Sequence, residues 1–342
     1  ENVSMAVTIQ KIAELSGVSR GTVDRVLHGR PNVNPMIREK VVRAAEKLGY
    51  QPPVPPKSAD CRQAAILIPQ WTDGHFNRQI VSGIRKALRY IADPAFVLTE
   101  QLLRTMTMQE LLRAMDEQIR SGVDGLIIRA ENTPEVRAAI EQAVQQGVTV
   151  ITYDADVPDS GRLCYVGQDL VRAGAIAAGV MARLIRPPEH VLIVSGNLRM
   201  ESHKGRVDGF CRRLLELGFS EDAYQVIETN EMPDLTSELV AQSLVSDSRL
   251  HAVYMANQPL SGCISGIRKA RRAVRPHIIC NDLTPAAKRY LRDGTVDFVV
   301  GQTFSQESFQ AVLAMYQMLL HGVKPKRELY YTDLRLITQE ML

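Results

Sequence analysis

Four polar residues stand immediately beyond apolar runs of the 342-residue sequence. Asp154 follows residues 148–153, Asn257 follows 252–256, Asp282 follows 278–281 and Gln302 follows 296–301. If those runs are strands of an open α/β sheet, their carboxyl ends are where such sheets bind ligands. Carboxylates and amides gathered in one cleft suit a hydroxyl-rich ligand, because each accepts or shares hydrogen bonds with vicinal hydroxyls. Trp71, the sole tryptophan, and Phe76 follow the first apolar run and offer faces for stacking on a sugar ring. Taken singly, each polar residue reads equally well as a loop cap; as a set they point to a sugar or polyol.

Asp154 and Asp282 could also form a catalytic carboxylate pair, but no nucleophile or leaving-group acid accompanies them. The sequence has no G-x-S-x-G elbow, no phosphate-binding loop and no G-x-G-x-x-G after the first apolar run. Its seven histidines (His28, His75, His190, His203, His251, His277, His321) form no His-x-x-x-His pair. No enzymatic activity, metal or cofactor is therefore expected.

A different chemistry resides at the N-terminus. Residues 5–57 hold nine Lys/Arg against four Asp/Glu, a net of +5 in a chain whose total is only +3. A basic head on a near-neutral body indicates a polyanion partner at one end. The near-neutral remainder favours neutral hydroxylated ligands over phosphates. Within the head, Thr8 and Ser19 can cap two short helices separated by a turn at Gly17, and Asn34-Pro35 reads as the start of a third. The second helix presents Arg20, Gly21, Asp24 and Arg25 outward and Val23 and Val26 inward. This is a helix-turn-helix, and its Arg residues suit bidentate pairing with guanine in the major groove. A generic three-helix interaction module is the alternative; the charge and the following linker favour DNA.

The elements that must position these residues follow from periodicity. Residues 51–57 contain four prolines, which cannot continue a helix and form a semi-rigid linker. From residue 64, short apolar runs (64–69, 125–129, 148–153, 190–195, 252–255, 278–280, 296–300) alternate with helical patterns (80–91, 108–120, 135–146, 171–184, 206–217, 308–320). This is doubly wound α/β grammar, long enough for two similar subdomains with a cleft between them. The apolar stretch 173–182 is too short to span a bilayer, which needs ~20 residues. No secretory signal is visible, and Glu1 to Ser4 read as a non-native addition before Met5. Five scattered cysteines without a C-x-x-C pair favour a reducing cytoplasm. The chain stops soon after the last strand without a heptad tail, so no tail-mediated tetramer is expected.

The run from Val7 to Leu27 (VTIQKIAELSGVSRGTVDRVL), with Val33, Arg38-Glu-Lys-Val41 and Leu48-Gly-Tyr-Gln-Pro52, resembles the headpiece of the lactose-repressor family. The downstream region resembles that family's periplasmic-binding-protein-like core, so the likeness covers nearly the whole chain. It implies two Rossmann-like subdomains behind an all-α headpiece. The boundaries expected are 6–50 for the headpiece, 51–61 for the hinge and 62–342 for the core. Within the core, the N-subdomain takes 62–166 plus 303–325 and the C-subdomain 167–302 plus 326–342. By motif match, base reading falls to Arg20, Gly21 and Arg25. Thr8, Ser19, Thr22, His28 and Asn34 complete the expected DNA face. Asp154, Asn257, Asp282, Gln302 and Phe76 match ligand-contact positions, and Arg206 in Arg206-Val-Asp-Gly-Phe210 matches a ligand-contacting Arg whose planar fork could clamp ligand oxygens.

Lys204, Glu131 and Arg162 are weaker candidates at the same rim, each more consistent with a surface role. Residues 265–272 form a basic helical patch, read as a solvated face. Pro53 replaces the family's Asn and residues 54–59 lack the Leu of its hinge helix, so weaker operator bending is expected. The resemblance implies a cytoplasmic, nucleoid-associated homodimer that binds double-stranded operator DNA as a repressor under control of a sugar or polyol, with no membrane partner. A pure solute-binding protein, or a sugar-processing enzyme using Asp154 and Asp282, are the rival readings.

Overall fold

The computed structural model describes residues 9–27, 35–48, 61–71, 74–105 and 107–342. The chain separates into a small unit, Glu1–Ala59, and a large one, Asp60–Leu342.

The described residues of the small unit form three helices: α1 (Ile9–Ser16), α2 (Arg20–Leu27) and α3 (Pro35–Lys47). Gly17 adopts φ +70°, a left-handed turn that glycine takes without strain, and its N–H closes α1 on the Ala13 carbonyl at 2.9 Å. Ser19 then caps α2, its Oγ accepting from the Thr22 amide at 3.2 Å. Ile12, Ala13, Val23, Val26, Val41, Ala44 and Ala45 form the core.

The large unit opens with β1 (Arg62–Pro69), α4 (His75–Ile91), β2 (Phe96–Leu103), α5 (Met108–Arg120), β3 (Gly125–Ile128), α6 (Pro134–Gln145), β4 (Thr149–Tyr153) and β5 (Cys164–Gly167). It continues through α7 (Leu170–Leu184), β6 (His190–Ser195), α8 (Glu201–Glu216), β7 (Tyr224–Glu228), α9 (Pro233–Ser246), β8 (Leu250–Met255), α10 (Leu260–Ala270), β9 (His277–Asn281), α11 (Pro285–Arg292) and β10 (Phe298–Gly301). It ends with α12 (Phe304–His321), β11 (Leu329–Tyr331) and β12 (Arg335–Ile337).

Two six-stranded sheets result, in orders β11-β5-β4-β3-β1-β2 and β12-β10-β9-β8-β6-β7. Every pairing is parallel except β10 with β12. Helices cover both faces of each sheet, burying separate apolar clusters, which is why the central strands read as continuous apolar runs. The shorter or more polar strands β2, β5, β7, β11 and β12, and helices α9 and α11, escaped the sequence reading.

The chain passes between the sheets three times: after β5, after β10 and after β11. Leu329–Tyr331 pairs with β5 in the first sheet, and only β12 joins the second. Assigning all of 326–342 to the C-subdomain therefore misplaces β11, a three-residue strand too short to register as a periodic pattern. Among the described residues no helix is long and apolar enough to cross a membrane.

Candidate functional site

In the headpiece, α2 sets Arg20, Gly21 and Arg25 on its exposed side, with Ser19 exposed and Thr22 half-buried at its start. Val23 and Val26 anchor the opposite side in the core. The Ser19 and Thr22 hydroxyls hydrogen-bond each other at 2.9 Å, so both serve the turn itself. Thr8, His28 and Asn34, and the linker to residue 60, lie outside the described residues.

In the core, the strand-end residues meet between the sheets. Asp154 follows β4 and Asp282 follows β9; both adopt left-handed backbone, φ 60° and 69°, a conformation Asp tolerates better than most residues. Each amide is tied to the neighbouring strand, Asp154 to the Val166 carbonyl at 3.1 Å and Asp282 to the Val300 carbonyl at 2.9 Å. Asp154 forms an ion pair with Arg129 and accepts from Gln302 Nε2 at 3.0 Å. Gln302 Oε1 accepts from Arg206 at 2.6 Å. Arg206 also donates to Gln168 Oε1 at 2.9 and 3.1 Å and to the Ala256 carbonyl at 3.0 Å. Its Nη2 lies 3.5 Å from Asp282 Oδ1.

This chain of contacts links the sheets through the crossing segments, since Gln168 follows β5 and Gln302 follows β10. Arg206 reaches it because α7 and α8 pack at backbone distance. A Cβ on Gly209 would stand 2.0 Å from the Val171 carbonyl oxygen, and one on Gly174 2.0 Å from that of Arg206.

Several buried polar atoms here have no hydrogen-bond partner: Asp282 Oδ1, Asn257 Oδ1, Gln168 Nε2 and Asn281 Oδ1. Such orphans are costly unless water or a ligand satisfies them. Burial raises the Asp282 pKa, an effect Arg206 only partly offsets. Glu307, in the first turn of α12, is fully buried, and burial holds its pKa well above the usual carboxylate range.

Two cavities open along the network. One, of about 290 Å³, is lined by Trp71, Arg129 and Glu131 from the first sheet's side and Asn197, His203, Asn230 and Glu231 from the second. The other, of about 510 Å³, is lined by Phe76, Asp282, Gln302, Lys288 and Arg335 among others. Trp71 and Phe76 thus line different cavities while touching edge to face, ring centroids 5.5 Å apart. Asn257 is buried beside the smaller cavity, donating to Glu231 at 3.4 Å.

Of the weaker candidates, Glu131 lines the smaller cavity. Lys204 pairs along α8 with Asp208 at 2.5 Å. Arg162 is no surface group: it is buried, bound to Asp156 and to Glu328 at 3.0 Å. In the 265–272 patch, Arg272 donates to the Leu250 and Ser248 carbonyls, so it closes a loop rather than facing solvent freely.

Sequence reasoning missed Arg129, Gln168, His203 and Glu231. Arg129 was absorbed into its strand, although the same strand-end rule would have marked it. Glu231 is visible only once β7 is known, where Asn230 and Glu231 both take left-handed backbone at φ 48° and 57°. Such strain clusters at functional sites.

Residues 64–322 match the family model described as periplasmic binding protein domain, and residues 8–53 match that of bacterial regulatory proteins, lacI family. Catabolite control protein A of Priestia megaterium is 26% identical over 268 residues, 77% of each chain. Maltose regulon regulatory protein MalI of Escherichia coli strain K12 is 24% identical over 280 residues, 78% of this chain and 76% of that one. Among solved structures, GanP, a glucose-galactose binding protein from Geobacillus stearothermophilus, superposes with TM-score 0.72 at 24% identity. It covers 82% of this chain and 99% of its own, a likeness of fold.

Proposed function

Since the chain belongs to the lacI family of bacterial regulatory proteins, with a periplasmic-binding-protein core, we propose that it is a cytoplasmic, nucleoid-associated repressor whose operator affinity is set by a hydroxylated small molecule bound between the core subdomains. The observation that carries this reading is the set of buried polar atoms without a hydrogen bond where the two sheets meet. Asp282 Oδ1, ion-paired to Arg206 at 3.5 Å, and Asn257 Oδ1 are acceptors with no hydrogen bond, and sugar hydroxyls are donors of the right kind.

A ligand between the sheets competes for the Arg129–Asp154 and Gln302–Arg206 contacts. It thereby redistributes bonds held at the crossings that any opening or closing must bend. Operator and effector affinities are then coupled reciprocally. The effector leaves the protein unchanged, as no step of the reading requires bond cleavage. Two copies present two recognition helices to a pseudo-palindromic site. What supports a dimer is apolar exposure on α4 and the edge strand β2: Tyr90, Leu102 and Val97 are 72%, 55% and 44% exposed. Arg20 and Arg25 carry base reading, with Ser19, Thr22 and the undescribed Thr8, His28 and Asn34 around them.

The test is Arg20→Ala in the full chain, assayed against an operator selected from random duplexes. Operator binding weakens by ~1–3 kcal/mol, the worth of a specific base contact, and sequence preference relaxes, while effector affinity stays unchanged. Equal loss of both affinities refutes the two-part reading.

A further inference from the structure

The larger cavity differs in charge from the smaller one. Arg335 is the first residue of β12, and because β12 runs antiparallel to β10 it stands opposite Gly301, beside Gln302. Lys288 lies one turn into α11, which starts just beyond Asp282. Both line the 510 Å³ cavity with Asp282, Gln302, Phe76 and Phe304. Among the described residues neither Lys288 nor Arg335 forms an ion pair. In the same cavity, Asp282 Oδ1 is a buried acceptor without a hydrogen bond. Arg335 is exposed at the rim of the cavity and Lys288 half-buried, so a neutral sugar that donates to Asp282 would make no use of either charge.

Resting on the effector-binding reading above, we propose that the effector is a hydroxylated anion, a sugar acid or sugar phosphate. Its anionic group is received by Arg335 and Lys288, and a hydroxyl near it donates to Asp282. Arg335 supplies the planar fork that matches carboxylate and phosphate oxygens, Lys288 a mobile point charge. The Phe76 and Phe304 rings, with centroids 4.7 Å apart, give the carbon skeleton an apolar wall. This reverses the preference for neutral ligands drawn from the near-neutral core. Net charge averages over the surface, whereas recognition depends on which cations line the cavity.

The test measures dissociation constants of the full-length protein by calorimetry for D-glucose, D-galactose and D-mannose. These are compared with the aldonate, uronate and 6-phosphate of each. At least one anion binds tenfold or more tightly than its neutral parent, and the carboxylate and phosphate arms identify the group. Arg335→Gln brings that preference to within twofold, with Lys288→Gln reducing it less, while the ligand-free melting temperature is unchanged. The proposal is overturned if no anion binds, if a neutral parent binds as tightly as its anions, or if Arg335→Gln keeps the preference. A neutral sugar that binds and shifts operator affinity would overturn the anion while leaving the regulatory reading standing.

Discussion

Helices α4 and α8 leave equivalent strands, β1 and β6, of the two sheets and are built on one plan. The ninth residue of each is a glycine, Gly83 in α4 and Gly209 in α8. Each glycine admits a second helix at backbone distance: a Cβ would meet the Ser305 carbonyl oxygen of α12 at 2.2 Å or that of Val171 in α7 at 2.0 Å. Three residues before the glycine, the halves diverge. Ile80 is fully buried in the first core, whereas Arg206 enters the polar network. Duplicated geometry serves apolar packing in one half and a buried polar network in the other.

Asp154 and Asp282 make the same contrast. Both terminate equivalent strands in left-handed backbone, yet Asp154 is fully paired with Arg129 and Gln302. Among the described residues Asp282 pairs only with Arg206, at 3.5 Å, and burial raises its pKa. Asp154→Asn keeps the backbone and strands Arg129, whose side chain is 12% exposed. Removing one partner of a buried pair costs ~3–5 kcal/mol, to be read from urea unfolding. Adding Arg129→Met should recover most of the loss. Asp282→Asn should stay within ~1 kcal/mol of wild type, or gain, because the neutral isostere escapes the cost of a poorly matched buried charge. Similar losses for both variants would dissolve the distinction.

Alanine at the two glycines probes the helices. Each added methyl would stand 2.2 or 2.0 Å from a backbone carbonyl oxygen that cannot swing aside, so the cost lies at or above the upper end of the ~1–3 kcal/mol of core overpacking and outweighs the ~1 kcal/mol that Ala gains over Gly in a helix. Stability should therefore fall clearly, and alike, in Gly83→Ala and Gly209→Ala, by thermal denaturation. Effector affinity should fall more in Gly209→Ala, which displaces Arg206 from the polar network, than in Gly83→Ala, which disturbs only the apolar wall that Phe76 and Phe304 form. Equal loss of affinity in both would dissolve the contrast between the two helices.

How much of this was legible follows from the physics of each element. The central strands are buried on both faces, so their apolar runs mark themselves, and the polar residue beyond each run marks the cleft. Asp154, Asn257, Asp282 and Gln302 were found that way. The repeat Val81-Ser-Gly83 and Val207-Asp-Gly209 was also open to view, once the halves were compared. Gln168 and Glu231 were hidden because β5 is four residues long and β7 is only partly buried. Arg162 looked like rim charge because its partner Glu328 is 166 residues away. That contact exists because the chain returns to the first sheet ahead of β11, which no local pattern announces.

Glu307 is the extreme case: an acid in a helix's first turn ordinarily favours solvent and the helix dipole. Here α12 starts where the chain returns from the second sheet to the first, and the acid is carried into the network among Asp154, Asp282 and Arg206. Among the described residues its side-chain hydrogen bond is from Thr332 Oγ1, at another crossing, 3.5 Å from Oε1, and Oε2 has none. Burial raises both Asp282 and Glu307, and Glu307 by far the more, so Glu307 should dominate the loss of core stability as pH rises. Glu307 has a folded pKa raised above its unfolded value, so the native state holds a proton that the unfolded chain releases above about pH 4 to 5. Wild-type stability accordingly declines as pH rises through that window toward the folded pKa. Glu307→Gln cannot ionise. Its stability relative to wild type should be flat below about pH 4 and then rise by at most ~1.4 kcal/mol per pH unit, measured by urea unfolding between pH 4 and 8. Parallel curves for the two proteins would mean that Glu307 is ionised in the fold and that Arg206 serves it as much as Asp282.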